Sequence, residues 1–166
     1  VLVIVINPHT GALELLVTNQ LRLPTGMRQM ECLAGMIDDN ALGVIGTAAA
    51  ELAAESSIHL RQKYLHELGE FYTSQGLLDE KLTAYAVELP LHVTIDLYDY
   101  IKNEKHGTDT YEVIEIAFIP FTWAKVIETK DAKLICAYAL YEKWHATLTA
   151  EALEDMVVDG KADELQ

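Results

Sequence analysis

An alanine-rich segment that carries two glutamates constrains the fold of this chain more than any other part of the sequence. Residues 47–56 are mostly small residues with high helix propensity, and the chain before and after them contains apolar runs of strand length. Glu51 and Glu55 lie four positions apart, so a helix places both carboxylates on one face. A helix enclosed between strands predicts a sheet covered by helices, that is, an α/β or α+β sandwich.

The rest of the sequence supports this arrangement. Residues 1–6 form a continuous β-branched and leucine run typical of a buried strand, and residues 130–147 carry apolar residues close to helical spacing. Residues 92–102 alternate poorly and fit either a short helix or an irregular segment. Further strands are predicted at residues 13–21, 27–33, 64–73, 82–89 and 111–119.

Length and charge limit the classes of protein that fit the sequence. A chain of 166 residues is long enough for one domain with a hydrophobic core. Its formal net charge of −14 argues against binding to nucleic acids or anionic membranes, because such a surface repels phosphate groups. No apolar run reaches the ~20 residues that a membrane-spanning helix needs. An acidic surface is compatible with a site in which a divalent cation supplies positive charge.

The two cysteines and the first residues indicate the cellular setting. Cys32 and Cys136 lie in apolar surroundings without the spacing of zinc ligands, so we expect two buried free thiols. Free thiols favour an intracellular protein, either cytoplasmic or organellar. Residues 1–6 lack a methionine and a basic flank, which argues against a signal peptide and favours a start inside a longer protein.

The last residues differ in composition from the rest of the chain. Residues 149–166 hold six acidic residues and one lysine. Such a charge bias predicts a short helix followed by disorder. We therefore expect one domain over residues 1–147 and an acidic tail over residues 148–166.

The two glutamates of the predicted helix could serve as ligands of a divalent cation. Cleavage of a diphosphate needs cations that neutralise its oxygens and activate a water molecule. Mg²⁺ prefers carboxylate oxygens and keeps part of its water shell, so a few protein ligands suffice. Glu51 and Glu55 could share such ions. The alternative is that both side chains face solvent, as glutamates on helices commonly do.

Four blocks of the sequence point to one family. They are residues 20–26 (QLRLPTG), 33–58 (LAGMIDDNALGVIGTAAAELAAESSI), 74–82 (SQGLLDEKL) and 131–142 (DAKLICAYALYE). In this order they resemble the Nudix hydrolases, and in particular the plant-type ADP-sugar diphosphatases. The second block is similar to a Nudix box in a degenerate form. The resemblance covers residues 1–145.

The resemblance implies an α/β/α sandwich with a mixed β-sheet and an activity that depends on Mg²⁺ or Mn²⁺. The substrate would be a nucleoside-diphosphate sugar or a related linked diphosphate, cleaved to a nucleoside monophosphate and a sugar phosphate. Glu51 and Glu55 correspond to metal-binding glutamates of the box, and the backbone carbonyl of Ala34 corresponds to a further ligand. Glu80 corresponds to an acid that holds metal or activates water, so Glu55 and Glu80 are the candidate catalytic residues. Arg22 corresponds to an arginine that binds substrate phosphate.

Simpler alternatives are open for two of these residues, and the family pattern is incomplete. Arg22 could form a surface ion pair, and Glu80 could be a solvated loop charge.

The positions that depart from the family pattern are Leu33, Ala41, Ala50, Ala54, Ser57 and Leu77. They include the positions of the box arginine (Ala50), of one box glutamate (Ala54) and of the glycine that ends the box helix (Ser57), where a residue compatible with the left-handed conformation is expected. These losses favour a second hypothesis, an inactive Nudix-fold docking subunit. In either case we expect a homodimer or a subunit of a larger assembly.

Overall fold

Six strands and four helices form within residues 1–37, 42–103 and 114–148, which are the residues that the computed structural model describes, without the side chains of 101–103. The strands are β1 (Leu2–Ile6), β2 (Leu13–Arg22), β3 (Met27–Glu31), β4 (His66–Tyr72), β5 (Lys81–Glu88) and β6 (Glu115–Pro120). The helices are α1 (Gly43–Ser56), α2 (Leu91–Asn103), α3 (Trp123–Thr129) and α4 (Ala132–His145).

The strands form one mixed sheet with β2 at its centre. The order is β3-β2-β1-β5-β4, and β6 pairs with β2 outside this path. Strand β2 pairs with β1 through residues 13–16, with β3 through residues 18–22 and with β6 through residues 14–19. Strands β1 and β5 run parallel, whereas the other pairs are antiparallel. The predicted mixed sheet is therefore confirmed.

Alternation along β1 divides the core into two layers. Val3 and Val5 belong to a buried cluster that contains residues of α1 and α2, whereas Leu2 and Ile4 belong to a cluster with residues of α3 and α4. The buried helix residues include Leu52, Val93 and Leu97 on the first face and Val126, Leu134 and Ala137 on the second. Successive residues of a strand point to opposite faces, so both faces of this strand are buried beneath helices. The chain is thus an α/β/α sandwich, as the sequence predicted.

Most predicted elements are present, with one addition. Residues 92–102 prove to lie in α2, so the helical alternative is correct there. The predicted strand at 64–73 is shorter, because a single 3₁₀ turn, Gln62–Tyr64, precedes β4. Helix α3 was not predicted: it has seven residues, which is too short to show a helical period. Residues 111–113 of the predicted sixth strand, and the tail residues 149–166, lie outside the described residues.

Both cysteines are free thiols, as expected, but they differ in burial. Cys32 is buried at the end of β3. Cys136 is only half-buried, so the prediction of full burial is wrong for this residue. The buried stripe of α4 contains Leu134, Ala137, Tyr138 and Tyr141, and Cys136 lies beside this stripe. Within the described residues, no helix is long and apolar enough to cross a membrane.

Candidate active site

Helix α1 holds Glu51 and Glu55 at the boundary between the core and the surface. Leu52 and Ser56 of this helix are buried, and the two glutamates next to them are half-buried. The helical spacing predicted that the two carboxylates share a face, and their mutual electrostatic effect agrees with this. Because both side chains are half-buried and Oε2 of Glu55 is buried, the two glutamates do not simply face solvent.

The backbone at Gly35 packs directly against the side chain of Glu51. A β-carbon built on Gly35 would lie 1.9 Å from Cδ and 2.1 Å from Oε1 of Glu51. No side chain fits this space unless the glutamate moves. Glycine here permits the close approach of the loop to the glutamate side chain, and this role does not depend on its backbone angles.

Glu55 is a carboxylate in an environment that disfavours its charge. Burial and the charge of Glu51 raise the pKa of Glu55 to about 7, although a hydrogen bond from the backbone of Ala34 opposes this shift. The Oε2 atom of Glu55 is buried and has no hydrogen-bond partner within the described part of the chain. A buried polar atom without a partner is costly, so a proton or a bound cation at Oε2 of Glu55 would be favourable.

Three predicted residues, Ala34, Glu51 and Glu55, therefore lie in one region, where Ala34 contacts Glu55 and the unpredicted Gly35 contacts Glu51. Two carboxylates and a backbone carbonyl are hard oxygen donors, which suit Mg²⁺ or Mn²⁺ with water completing the coordination. A cation there would offset the charge repulsion and provide a partner for the buried oxygen of Glu55. Within the described residues, no group of three or more histidine, cysteine, aspartate or glutamate side chains is arranged to hold a metal ion. Metal binding by Glu51, Glu55 and the carbonyl of Ala34 therefore stays a prediction.

Glu80 lies on the exposed loop between β4 and β5. Its carboxylate accepts a hydrogen bond from the hydroxyl of Thr73, at the other end of the same loop. The charge that raises the pKa of Glu55 is that of Glu51 on the same helix, whereas Glu80 lies on this loop. The role of Glu80 in metal binding or water activation stays a prediction.

Arg22 forms an ion pair that the sequence analysis left open as an alternative. Its Nε and Nη2 atoms donate to the two carboxylate oxygens of Glu31 at 2.6 and 2.8 Å. Lys133 of α4 contacts the same carboxylate at 3.1 Å. Burial raises the pKa of Glu31, but the hydrogen bonds from Arg22 and the charge of Lys133 outweigh this effect and hold it below its ordinary value. A role of Arg22 in phosphate binding stays a prediction.

Glu31 and Lys133 were missed as parts of this region by the sequence analysis. They are 102 residues apart, and neither shows a pattern that links it to the other. The one available signal was the unusual position of Glu31, a charged residue at the end of a strand that leads directly into the box. Within a folded protein, such a buried carboxylate needs cationic partners.

The positions that depart from the family pattern have distinct surroundings. Ala50 and Ala54 are exposed on α1, whereas Leu33 is fully buried. Ser57 adopts the left-handed backbone conformation that was expected there, with φ of 58° and ψ of 17°. Leu77 is 88% exposed on the β4–β5 loop. Ala41 lies outside the described residues.

Comparison with known proteins places this geometry in context. No family model matches the sequence. The chain is similar to Nudix hydrolase 14, chloroplastic, of Arabidopsis thaliana, with 28% identity over an alignment of 154 residues that covers 86% of this chain and 48% of that protein. The chain thus spans about half the length of this curated relative.

The fold is similar to that of a solved structure, the crystal structure of an ADP compounds hydrolase. The TM-score is 0.62 and the sequence identity 16%, over 87% of this chain and 71% of that chain. At this identity the structural similarity shows the fold alone. The relationship of this chain to the Nudix superfamily is supported by its sequence similarity to the chloroplastic Nudix hydrolase.

Proposed function

We propose that the chain is a Nudix-type hydrolase that cleaves a nucleoside-diphosphate sugar, or a related linked diphosphate, with Mg²⁺ or Mn²⁺. The observation that carries the proposal is the buried Oε2 of Glu55, which has no partner in the described part of the chain and lies beside a second carboxylate, Glu51. A divalent cation relieves the repulsion between two such groups and satisfies the buried oxygen. The similarity to a Nudix hydrolase supports this function.

Each residue of the site has a role in this proposal. A bound cation would neutralise the diphosphate oxygens and lower the pKa of a coordinated water molecule. Glu51, Glu55 and the carbonyl of Ala34 would hold the ion, and Glu80 would accept the proton of the attacking water. The water oxygen forms a bond to one phosphorus while the bridging P–O bond breaks. The products are a nucleoside monophosphate and a sugar phosphate.

Arg22 would bind a substrate phosphate through its planar guanidinium group. Two of its N–H groups already donate to Glu31, so the guanidinium would be shared between this carboxylate and the substrate. The pair with Glu31 would orient the guanidinium plane before substrate binds, which lowers the entropic cost of binding.

The test is metal-dependent release of nucleoside monophosphate from ADP-ribose, ADP-glucose and UDP-glucose. Glu51→Gln and Glu55→Gln should each abolish release while circular dichroism shows an unchanged fold. Glu128→Gln is the matched control, because Glu128 is an exposed glutamate on α3 that pairs with Lys125. Full activity of both site variants would show that the assignment of the metal ligands is wrong.

A second candidate function is that of a catalytically inactive Nudix-fold subunit that docks in a larger assembly. It is favoured by alanine at positions 50 and 54 and by the lack of a third clustered acid within the described residues. A folded chain that neither binds Mn²⁺ nor releases product would support this function. Light scattering would then show whether the chain forms the expected homodimer, and purification with bound proteins would reveal a larger assembly.

A further inference from the structure

Asp131 joins the first turn of α4 to the segment that leads into the candidate site. Its Oδ2 accepts a hydrogen bond from the backbone N–H of Cys32 at 2.8 Å, although the two residues are 99 positions apart. The same oxygen accepts from the N–H of Leu134, and Oδ1 accepts from the N–H of Lys133, both at 3.2 Å. One carboxylate therefore caps a helix and anchors a distant strand end at the same time.

Lys133 adds a second connection between the same two segments. Its Nζ lies 3.1 Å from Oε2 of Glu31, whose carboxylate is buried. The consecutive residues Glu31 and Cys32 are thus both tied to the first turn of α4. Hydrogen bonds to charged groups in partly buried surroundings are stronger than those between neutral groups. The contacts of Asp131 with Cys32 and of Lys133 with Glu31 hold the end of β3 in one position relative to the helix.

The anchored segment continues directly into the backbone that contacts the two glutamates. Leu33 is fully buried, Ala34 makes its hydrogen bond to Glu55, and Gly35 packs on Glu51. Cys32 and Ala34 are two residues apart, which is about 7 Å of extended chain. A displacement at Cys32 therefore acts on the backbone of Ala34 through one intervening residue.

We propose that Asp131 is a positioning residue, which holds the backbone of Ala34 and Gly35 against Glu51 and Glu55 in the geometry that binds a divalent cation. The ion-binding part of this inference rests on the proposed function. A helix cap alone does not need an aspartate, since serine, threonine and asparagine cap helices about as well. The bond to Cys32 needs an acceptor oxygen that reaches past the helix end, and Oδ2 of the aspartate supplies it while it also accepts from the N–H of Leu134.

Two substitutions separate the cap from the tether. Asp131→Ser keeps a hydroxyl that caps α4 but is too short to reach Cys32. Asp131→Thr keeps a capping hydroxyl of the same short reach, and it decides the question if Asp131→Ser does not fold. The matched control is Thr122→Ala, which removes the cap of α3, where the Thr122 side chain accepts from the N–H of Lys125.

The experiment measures Mn²⁺ affinity from the spin resonance signal of free Mn²⁺, the free energy of unfolding in urea, and amide hydrogen exchange at residues 32–35. Asp131→Ser should weaken Mn²⁺ binding by roughly 10-fold or more, as loss of an outer-shell partner does, and speed exchange at Cys32. Thr122→Ala should lower stability but leave Mn²⁺ affinity and Cys32 exchange unchanged. Unchanged affinity and exchange in a folded Asp131 variant would overturn the inference.

Failure of the proposed function gives a different result. If the parent chain binds no Mn²⁺ at millimolar concentration, the metal-dependent activity is wrong, and amide exchange alone decides the positioning role. Faster exchange at residues 32–35 in Asp131→Ser, with Thr122→Ala unchanged, still supports the tether. Equal exchange in the parent and in both Asp131 variants refutes it.

Discussion

The Cα atom of Gly35 lies so close to Glu51 that an added β-carbon would stand 1.9 Å from the Cδ of the glutamate. The preceding residue, Ala34, makes a backbone hydrogen bond to Glu55, one turn further along the same helix. Two consecutive backbone units therefore contact the two glutamates of α1. The loop and the helix act as one unit, so a change in the loop backbone displaces the two carboxylates of the helix.

The first prediction concerns Gly35→Ala. The new methyl group should displace the Glu51 carboxylate, because a flexible side chain moves more easily than packed backbone. We expect Mn²⁺ affinity, measured by calorimetry, to fall by roughly 10-fold, while the free energy of unfolding changes by less than about 1 kcal/mol. Gly76→Ala is the control, because a β-carbon at Gly76 meets nothing within 4 Å. Parental affinity in Gly35→Ala would mean that Glu51 does not bind the ion.

The second prediction concerns the dependence of stability on pH. Burial and the charge of Glu51 raise the pKa of Glu55 from its ordinary value of 4.5 to about 7. The folded chain therefore favours the protonated form of Glu55. The stability that comes from this protonation is fully present below pH 4.5. It is lost as the pH rises from 4.5 to about 7.

Glu55→Gln imitates the protonated carboxyl and should remove this loss. Without divalent ions, we expect the variant to be more stable than the parent at pH 8 by up to about 3 kcal/mol, with the difference vanishing near pH 4.5. Urea unfolding in the presence of a chelator at both pH values measures it. Mg²⁺ should then stabilise the parent but not the variant. Equal stabilities at pH 8 would show that the surroundings of Glu55 do not disfavour its charged form.

The third prediction separates the two roles of Arg22. Arg22→Lys keeps the charge but cannot form both hydrogen bonds to Glu31, so we expect a loss of about 1 kcal/mol in the free energy of unfolding. If Arg22 also binds phosphate, KM for the linked diphosphate should rise by roughly 10-fold, the effect of about 1.4 kcal/mol of lost binding. Arg28→Lys is the control, since Arg28 pairs with the exposed Glu115. An unchanged KM would leave Arg22 with the ion pair alone.

The fourth prediction concerns the end of α1. Ser57 has a φ of 58°, a conformation that costs a residue with a side chain about 1 kcal/mol relative to glycine. Ser57→Gly relieves this strain but also removes the exposed 3.3 Å contact from the Tyr100 hydroxyl. We therefore expect the free energy of unfolding to rise by only about 0.5 kcal/mol. Ser57→Ala should instead lower it. Thermal unfolding of the two variants side by side measures the difference, and a loss of stability in both would show that the Tyr100 contact outweighs the backbone strain.

The elements of the fold could be read from the sequence where a local period exists. The run at residues 1–6 predicted β1, and the spacing of Glu51 and Glu55 predicted a shared helix face, because both signals lie within one or two turns of chain. Helix α3 escaped prediction because seven residues from Trp123 to Thr129 carry too little periodicity. The left-handed conformation at Ser57 was expected from the resemblance, because this position corresponds to the glycine that ends the box helix.

The sequence by itself determined the layers of the sandwich, the helix that carries the two glutamates, and the loop that comes before it. Only the tertiary structure decided that Glu55 is buried without a partner for Oε2, and that Asp131 bonds to Cys32 across 99 residues. The physical reason is that burial and long-range hydrogen bonds depend on how separate elements pack. Local propensity and spacing extend over only a few residues and cannot specify contacts between distant parts of the chain.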